Sequence, residues 1–380
     1  MPGHGRGRVI GRGVRHGTAD DRPGTLPLMV TPVQGALVAL ALAGCVASTQ
    51  TDHSRIEVDS FAEVAMGVDV GIKVAGPEAG TRLAAGRLAM AEVRACDEAL
   101  SDWQDSSERS RLPRTGGMAA AVSERLFDIT AQSIEIARKT EGRFDPTIAP
   151  IVQAWRTARA DGTLPDPAAL DAALACVGWQ DAMLDPRART ITFGRDGMAL
   201  DFGGIGKGFA AQRASGVLVA SGHPIHLVAV AGDLVAGPMP PPGKPGWIIR
   251  KEDGLGPPFE LMLLGEAVST SGDLEQFIEL DGVRHSHIVD PRTGRALRNR
   301  TAACVRGPLG ATCDALATAL CVAGVRDAAS LMRRFPGYRA SVTTAEDDVL
   351  RTWSTTPGPE GSPCPADAVT VPDAATRQHP

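Results

Sequence analysis

An α+β fold, built of mixed antiparallel sheets with packed helices, is what this 380-residue sequence predicts. Two observations carry the prediction. Runs of alternating apolar and polar residues come in groups, with stretches of helical period gathered between them, unlike the strict strand–helix alternation of a parallel sheet. The strand-rich part also contains Asp281-Gly282, a dipeptide that closes antiparallel hairpins.

Residues 55–76, RIEVDSFAEVAMGVDVGIKVAG, alternate over much of their length and read as strands. Residues 82–100 carry apolar side chains at helical spacing, and residues 120–140 form a second amphipathic helix that stops before Gly142. Asp166-Pro167, a cap and first-turn pair, opens a third helix in DPAALDAALACVG. Residues 181–202 read as a hairpin pair. A helix runs from about Phe209 to Ala220, directly after a glycine-rich loop. IHLVAVAGDLVAG and GWIIRKEDG are strands separated by the loop PMPPPGKPG. FELMLLGEAVSTSG, FIELDGVRHSHIVD and TAACVRG continue the strand-rich part, and residues 312–334 form a strong helix. Residues 356–380, rich in Pro, Thr and Asp, are expected to be disordered.

The chain is 43% hydrophobic and 22% charged, as globular proteins are. Its net charge is −5, but residues 1–45 hold five Arg and two Asp, which leaves −8 on the rest. An acidic body with one Tyr, nine Phe and no basic run argues against nucleic acid as a partner. Residues 1–45 read as an address. Arg6, Arg8, Arg12 and Arg15 precede VQGALVALALAGC, an apolar run too short to span a bilayer but suited to a signal sequence. It ends in Leu42-Ala43-Gly44-Cys45, which resembles a bacterial lipobox. That resemblance implies lipidation at Cys45 and a chain anchored to a bacterial membrane in the cell envelope. Residues 46–55 would be a tether and residues 56–355 the folded domain. The remaining cysteines form no C-x-x-C, so they suggest neither a zinc site nor a redox motif.

The loop DFGGIGKGFA, residues 201–210, fits neither of two familiar glycine motifs. A Walker A loop needs Ser or Thr after Gly-Lys, and Gly208 stands there; a dinucleotide fingerprint has its third glycine one residue later. What remains is general. Glycines let backbone approach closely, successive N–H groups can cradle an anion, and Lys207 adds a positive charge. A tight strand-to-helix turn with a solvated lysine would look the same.

Other segments carry candidate chemistry. In ATCDALATALCVAG, Asp314 and Thr318 are four apart and share one face near a helix N-terminus. They suit a hard cation such as Mg²⁺, which takes few protein oxygens. They equally suit an exposed carboxylate that complements the helix dipole and a hydroxyl bonded back to a carbonyl. In RHSHIVDPRTG, His285 and His287 alternate on a strand entering the Asp290–Gly294 turn, either to manage protons or as a plain turn with solvated histidines. GRFDPTIAPIVQAW places Phe144 beside Asp145-Pro146, and LSDWQDSSERSRL holds Trp103.

Taken in order, AMG at 65–67, SDWQDSSERSRL, GRFDPTIAPIVQAW, LDFGGIGKGFA, AVSTSGD, SHIVDPRTG and CDALATAL resemble the ApbE-like FAD:protein FMN transferases over residues 57–354. The resemblance implies a T-fold-like ApbE architecture and Mg²⁺-dependent transfer of FMN from FAD to Thr or Ser of a target flavoprotein through a phosphoester, with AMP leaving. It implies FAD contacts at Met66, Trp103, Phe144, Asp145, Pro146, Asp201, Lys207 and Val289. Asp314 and Thr318 would ligate Mg²⁺ with a backbone oxygen at Gly204. His287 looks like the family histidine, and His287, Asp290 or the metal's surroundings would supply the base, with Lys207 neutralising the diphosphate. Val68, Trp103, Pro113, Gln212 and Ala231 depart from residues common in the family. The same site would serve a Mg²⁺-dependent FAD pyrophosphatase, and a flavin-binding lipoprotein without turnover is the remaining alternative.

Overall fold

A computed structural model describes residues 56–251, 255, 259–272, 276–346, 349–355 and 369–370. The segment expected to be a signal sequence, Cys45, the expected tether and most of the Pro-rich tail lie outside the described residues.

One eight-stranded antiparallel sheet organises the chain. Its strands are β1 (Glu57–Ala65), β2 (Val68–Gly76), β6 (His226–Val230), β7 (Asp233–Ala236), β10 (Ala267–Gly272), β13 (Arg300–Gly307), β14 (Arg339–Glu346) and β15 (Val349–Ser354), adjacent in that order. The alternation read in the sequence decides which face each side chain takes. Val228, Val230, Val235, Ala267, Ala303 and Val305 enter the main core beneath α1 (Ala79–Leu100), α5 (Gly206–Ala220) and α6 (Gly310–Met332). Their neighbours Leu227, Ala236, Val268 and Cys304 face the other way, onto β8 (Trp247–Lys251) and β9 (Phe259–Leu263). β16 (Val369–Thr370), from the tail expected to be disordered, pairs with β9.

The remaining elements sit around the helices. β3 (Ala119–Ala121), β5 (Thr190–Phe193) and β4 (Ala182–Asp185) form a small sheet beside α2 (Glu124–Lys139). The expected helix at 120–140 therefore begins four residues late, because Ser123 caps it by accepting from Leu126 N–H and the preceding alanines pair as a strand. α3 (Ala149–Asp161) packs on α4 (Pro167–Leu174), and β11 (Phe277–Leu280) pairs with β12 (Val283–Ser286) across the expected Asp281-Gly282 turn, with φ of 50° and 73°. Residues 199–202 do not continue the β4–β5 hairpin; Ala199 bridges Ile148 instead. α5 starts at Gly206, earlier than the glycines suggested. Those glycines are required: a Cβ on Gly208 would overlap the Gly310 carbonyl oxygen, and one on Gly310 would lie 2.5 Å from Gly208 O. α5 and α6 thus touch backbone to backbone.

Candidate active site at the glycine loop

Four elements meet where α5 and α6 begin. Gly208 N–H in the first turn of α5 donates to Asp314 Oδ2 at 3.0 Å, and Ala311 N–H in the first turn of α6 donates to Gln212 Oε1 at 3.2 Å. Gln212, unusual for the resemblance, therefore caps the neighbouring helix. One turn on, a Cβ at Gly204 would lie 3.1 Å from Thr318 Oγ1, so the loop backbone rides against that hydroxyl. Ser271 Oγ of β10 is 3.2 Å from Thr318 Oγ1 on its other side. The sequence placed Asp314, Thr318 and Gly204 together, and the structure does so.

Asp314 is 2% exposed, which corrects the exposed helix-end carboxylate considered from sequence. Burial pushes its pKa up, as does the Asp233 carboxylate, while Lys207 and the Gly208 N–H oppose the rise. Lys207 Nζ lies 3.2 Å from Asp233 Oδ2 and 3.6 Å from Asp314 Oδ2. Burial works against its ammonium, but the two carboxylates outweigh burial and hold the pKa above the usual lysine value. Asp233, the first residue of β7, two residues after Ala231, was not among the candidates read from the sequence. Nothing local marks it as functional. The β6–β7 hairpin brings it to Lys207.

The other expected residues form two further groups. At the first, Asp201 N–H donates to Pro146 O at 2.7 Å, joining the Asp145–Thr147 turn to the glycine loop. Asp201 Oδ1 accepts from Gly203 N–H, and burial, followed by nearby Asp102, raises its pKa. Trp103 is 79% exposed, with the Arg156 guanidinium 4.3 Å above its ring. Phe144 and Asp145 are buried. The Asp145 carboxylate accepts from Thr147 N–H, Thr147 Oγ1 and Trp179 N–H, so its side chain is bound into the turn. Met66, at φ 55° in the β1–β2 turn, reaches the start of α5, where its Cε would lie 3.5 Å from a Cβ on Gly206.

The second group is the Asp290–Gly294 turn, held by a helix that sequence reading did not find. In α3, Trp155 Nε1 donates to Gly294 O at 2.9 Å and Arg159 to Ser286 O at 2.7 Å. Val289 is buried with Ile151 and Trp155. Asp290 holds Arg292 through both carboxylate oxygens at 2.9 and 2.7 Å. His285 packs against Trp155 and is buried, while His287, beyond the end of β12, is partly exposed with Nδ1 3.0 Å from Gln276 O. A carbonyl oxygen only accepts, so Nδ1 carries a proton in this contact.

The central cluster offers oxygen ligands to a hard cation: a buried Asp carboxylate, the Thr318 hydroxyl and the loop backbone. Among the described residues no three His, Cys, Asp or Glu side chains gather as a metal site. A cation here would therefore keep positions for water or substrate oxygens, as Mg²⁺ does. Among the described residues Asp233, 1% exposed, has no backbone or hydroxyl donor at either oxygen, so two buried carboxylates share the one Lys207 ammonium. The donor set fits Mg²⁺.

Glycine backbone and an ammonium on one side, with cation-seeking oxygens on the other, suit a phosphate ester or anhydride. They place the chain in the class of α+β proteins that handle phosphoryl groups. Known proteins narrow the class. A model of the ApbE family matches residues 66–342. The chain belongs to the ApbE family. The FAD:protein FMN transferase of Salmonella typhimurium is 28% identical over 324 residues, spanning 83% of this chain and 92% of the relative. That of Escherichia coli K12 is 30% identical over 268 residues, spanning 68% and 73%. Among solved structures, the flavinyl transferase ApbE of Pseudomonas stutzeri is similar with a TM-score of 0.69 at 26% identity, covering 79% of this chain and 95% of the other. The flavin transferase ApbE from Vibrio cholerae has a TM-score of 0.68 at 25% identity, covering 79% and 97%.

Proposed function

We propose that the chain is a FAD:protein FMN transferase that moves FMN from FAD to a Thr or Ser hydroxyl of a target flavoprotein. The observation that carries this reading is the close approach of Gly204 to Thr318, where a Cβ on the glycine would lie 3.1 Å from the hydroxyl, so that an anion-seeking loop lies beside a cation-seeking helix face. The acceptor oxygen bonds to the FMN-side phosphorus, the bridging P–O bond breaks, and AMP leaves with the electron pair. Lys207 offsets charge on the diphosphate, and the α5 N-terminus adds its N–H groups. Asp314, Thr318 and the Gly204 backbone would hold Mg²⁺, which supplies charge stabilisation to the phosphoryl oxygens when bound. The hydroxyl proton passes to a base. Asp290 holds Arg292 through both oxygens, and His287, the histidine of the family pattern, is the acceptor this reading favours. Trp103 offers a flat, exposed ring to FAD.

The test is incubation with FAD, Mg²⁺ and a candidate flavoprotein, read by intact mass. The expected result is a flavoprotein heavier by one FMN, with AMP in solution. FMN and AMP without mass gain would make the chain a pyrophosphatase, and neither product would make it a flavin binder. The leader supports anchoring at Cys45. Metabolic labelling with a fatty-acid analogue is expected to mark the wild type and not Cys45→Ala.

A further inference from the structure

Asp233 is a fully buried carboxylate that, among the described residues, has no backbone N–H or hydroxyl donor at either oxygen. Such groups are rare, because a buried charge without donors is costly unless an opposite charge or a ligand compensates it. Its one ion-pair partner among the described residues is Lys207, at 3.2 Å. The surrounding backbone is built to keep it there. Val230 pairs with Asp233 across a two-residue turn in which Ala231 adopts φ 51°, a conformation unusual outside glycine. From the opposite face of the sheet, the buried Lys251 ammonium grips the Gly232 carbonyl and lies 3.1 Å from Thr270 Oγ1. The turn is thus fixed from behind, and Asp233 presents its carboxylate to the helix side, where α5 and α6 begin.

Lys207 stands between two carboxylates with different tasks. Asp314 already accepts from Gly208 N–H and lies on the helical face shared with Thr318. Asp233 has only the ammonium. We propose that Asp233 is a positioning residue: it holds the Lys207 ammonium away from Asp314, so that Asp314 is left to a cation and the lysine is left to the substrate diphosphate. This deepens the transferase reading and rests on it for the identity of the substrate. The pairing of Asp233 with Lys207 stands apart from it.

A double-mutant cycle tests the proposal with Lys207→Met, Asp233→Asn and their combination, with Asp233→Glu as the conservative variant. In the absence of FAD and metal, Lys207→Met leaves two buried carboxylates facing each other, so its urea midpoint falls. Adding Asp233→Asn to it restores the midpoint part of the way to wild type. FAD affinity, read by flavin fluorescence, falls roughly tenfold in Lys207→Met and in Asp233→Asn. It falls no further in the combination, and Asp233→Glu recovers part of it. Calorimetric titration with Mg²⁺ alone gives a far smaller loss of affinity for Asp233→Asn than for Asp314→Asn.

Additive losses of FAD affinity, or a midpoint that drops again in the double variant, would overturn the proposal. Equal loss of Mg²⁺ affinity in Asp233→Asn and Asp314→Asn would make Asp233 a metal ligand and overturn it as well. If Asp233→Asn alone fails to fold, the comparison of Lys207→Met with the combination still decides. Wild-type protein that binds no FAD would sink the transferase reading, while the urea midpoints would still judge the Asp233–Lys207 pair.

Discussion

The turn at Asp145 and the start of β7 at Asp233 each bury a carboxylate, and they treat it in opposite ways. Asp145 is 6% exposed and accepts from two backbone N–H groups and a hydroxyl, all within its own turn and the segment at Trp179. Asp233 is 1% exposed and, among the described residues, has no backbone N–H or hydroxyl donor, only the Lys207 ammonium at 3.2 Å. The first charge has been absorbed into structure. The second remains available to whatever charge enters beside it. Burial alone therefore does not distinguish these two carboxylates; the donors around them do.

The largest expected effect lies in the cluster that holds Asp233, at Asp314. Asp314→Ala should lower FMN transfer by about 10²–10³-fold or more, the scale of losing a preorganised charge partner in catalysis. Its stability should change little, because relief of the repulsion from Asp233 offsets the lost acceptor of Gly208 N–H. EDTA should reproduce the catalytic loss in wild type and added Mg²⁺ should reverse it. Normal turnover in Asp314→Ala, or indifference to EDTA, would place Asp314 with the absorbed carboxylates.

Asp145→Ala should do the reverse. Three donors lose their acceptor, at a cost of about 1–3 kcal/mol in urea-derived stability. Asp145→Asn should cost less, since an amide oxygen can still accept from Thr147 while its NH₂ faces the Trp179 N–H. Equal costs for the two would show that the donors find water instead.

Trp103→Ala should weaken FAD binding by about 1–3 kcal/mol, the scale of base stacking on an aromatic ring, and leave the fold intact. Calorimetry with FAD checks the first part and the unfolding midpoint the second. An unchanged affinity would detach Trp103 from the site.

The smallest effect belongs to a buried histidine that is fully satisfied. His226 donates from Nδ1 to His223 O at 2.7 Å and lies 2.8 Å from Ser215 Oγ at Nε2. Burial lowers its pKa, so between that value and the ordinary histidine value of about 6.5 the unfolded chain binds the proton more readily. Its contribution is present above roughly pH 6.5 and is lost as pH falls below it. His226→Gln should flatten that limb of the pH–stability profile. An unchanged limb would assign the slope to other groups.

The contrast between these regions also marks what was legible in the sequence. Asp314 and Thr318 could be paired because four residues in a helix define a face. Gly204 could be added only through the family pattern, because loop and helix are far apart in the chain. Asp233 needed the tertiary fold: a hairpin end carries no periodicity that reveals its neighbour. Strands β1, β2 and the β11–β12 turn were legible from alternation and from Asp281-Gly282. α3 was not, because Pro146 and Pro150 made its start look like a turn, although proline suits a helix's first turn. β14 and β15, which complete the sheet, were also unread: β14 is buried under α6, while β15 is largely exposed and has no apolar face to mark it.

The backbone contact between Gly208 and Gly310 has a consequence for how the molecule acquires its chemistry. Gly208 and Asp314, which it brings into hydrogen-bonding range, are 106 residues apart in the chain. In a P-loop, one strand, one turn and one helix suffice to cradle a phosphate. Here β6, β7, β10 and β13 lie between the two halves of the site and join the same sheet. Such long-range closure is slow and comes late in folding. A nascent or partly folded chain therefore has half a cradle at most, and competence to cleave a soluble cofactor arrives together with the finished domain.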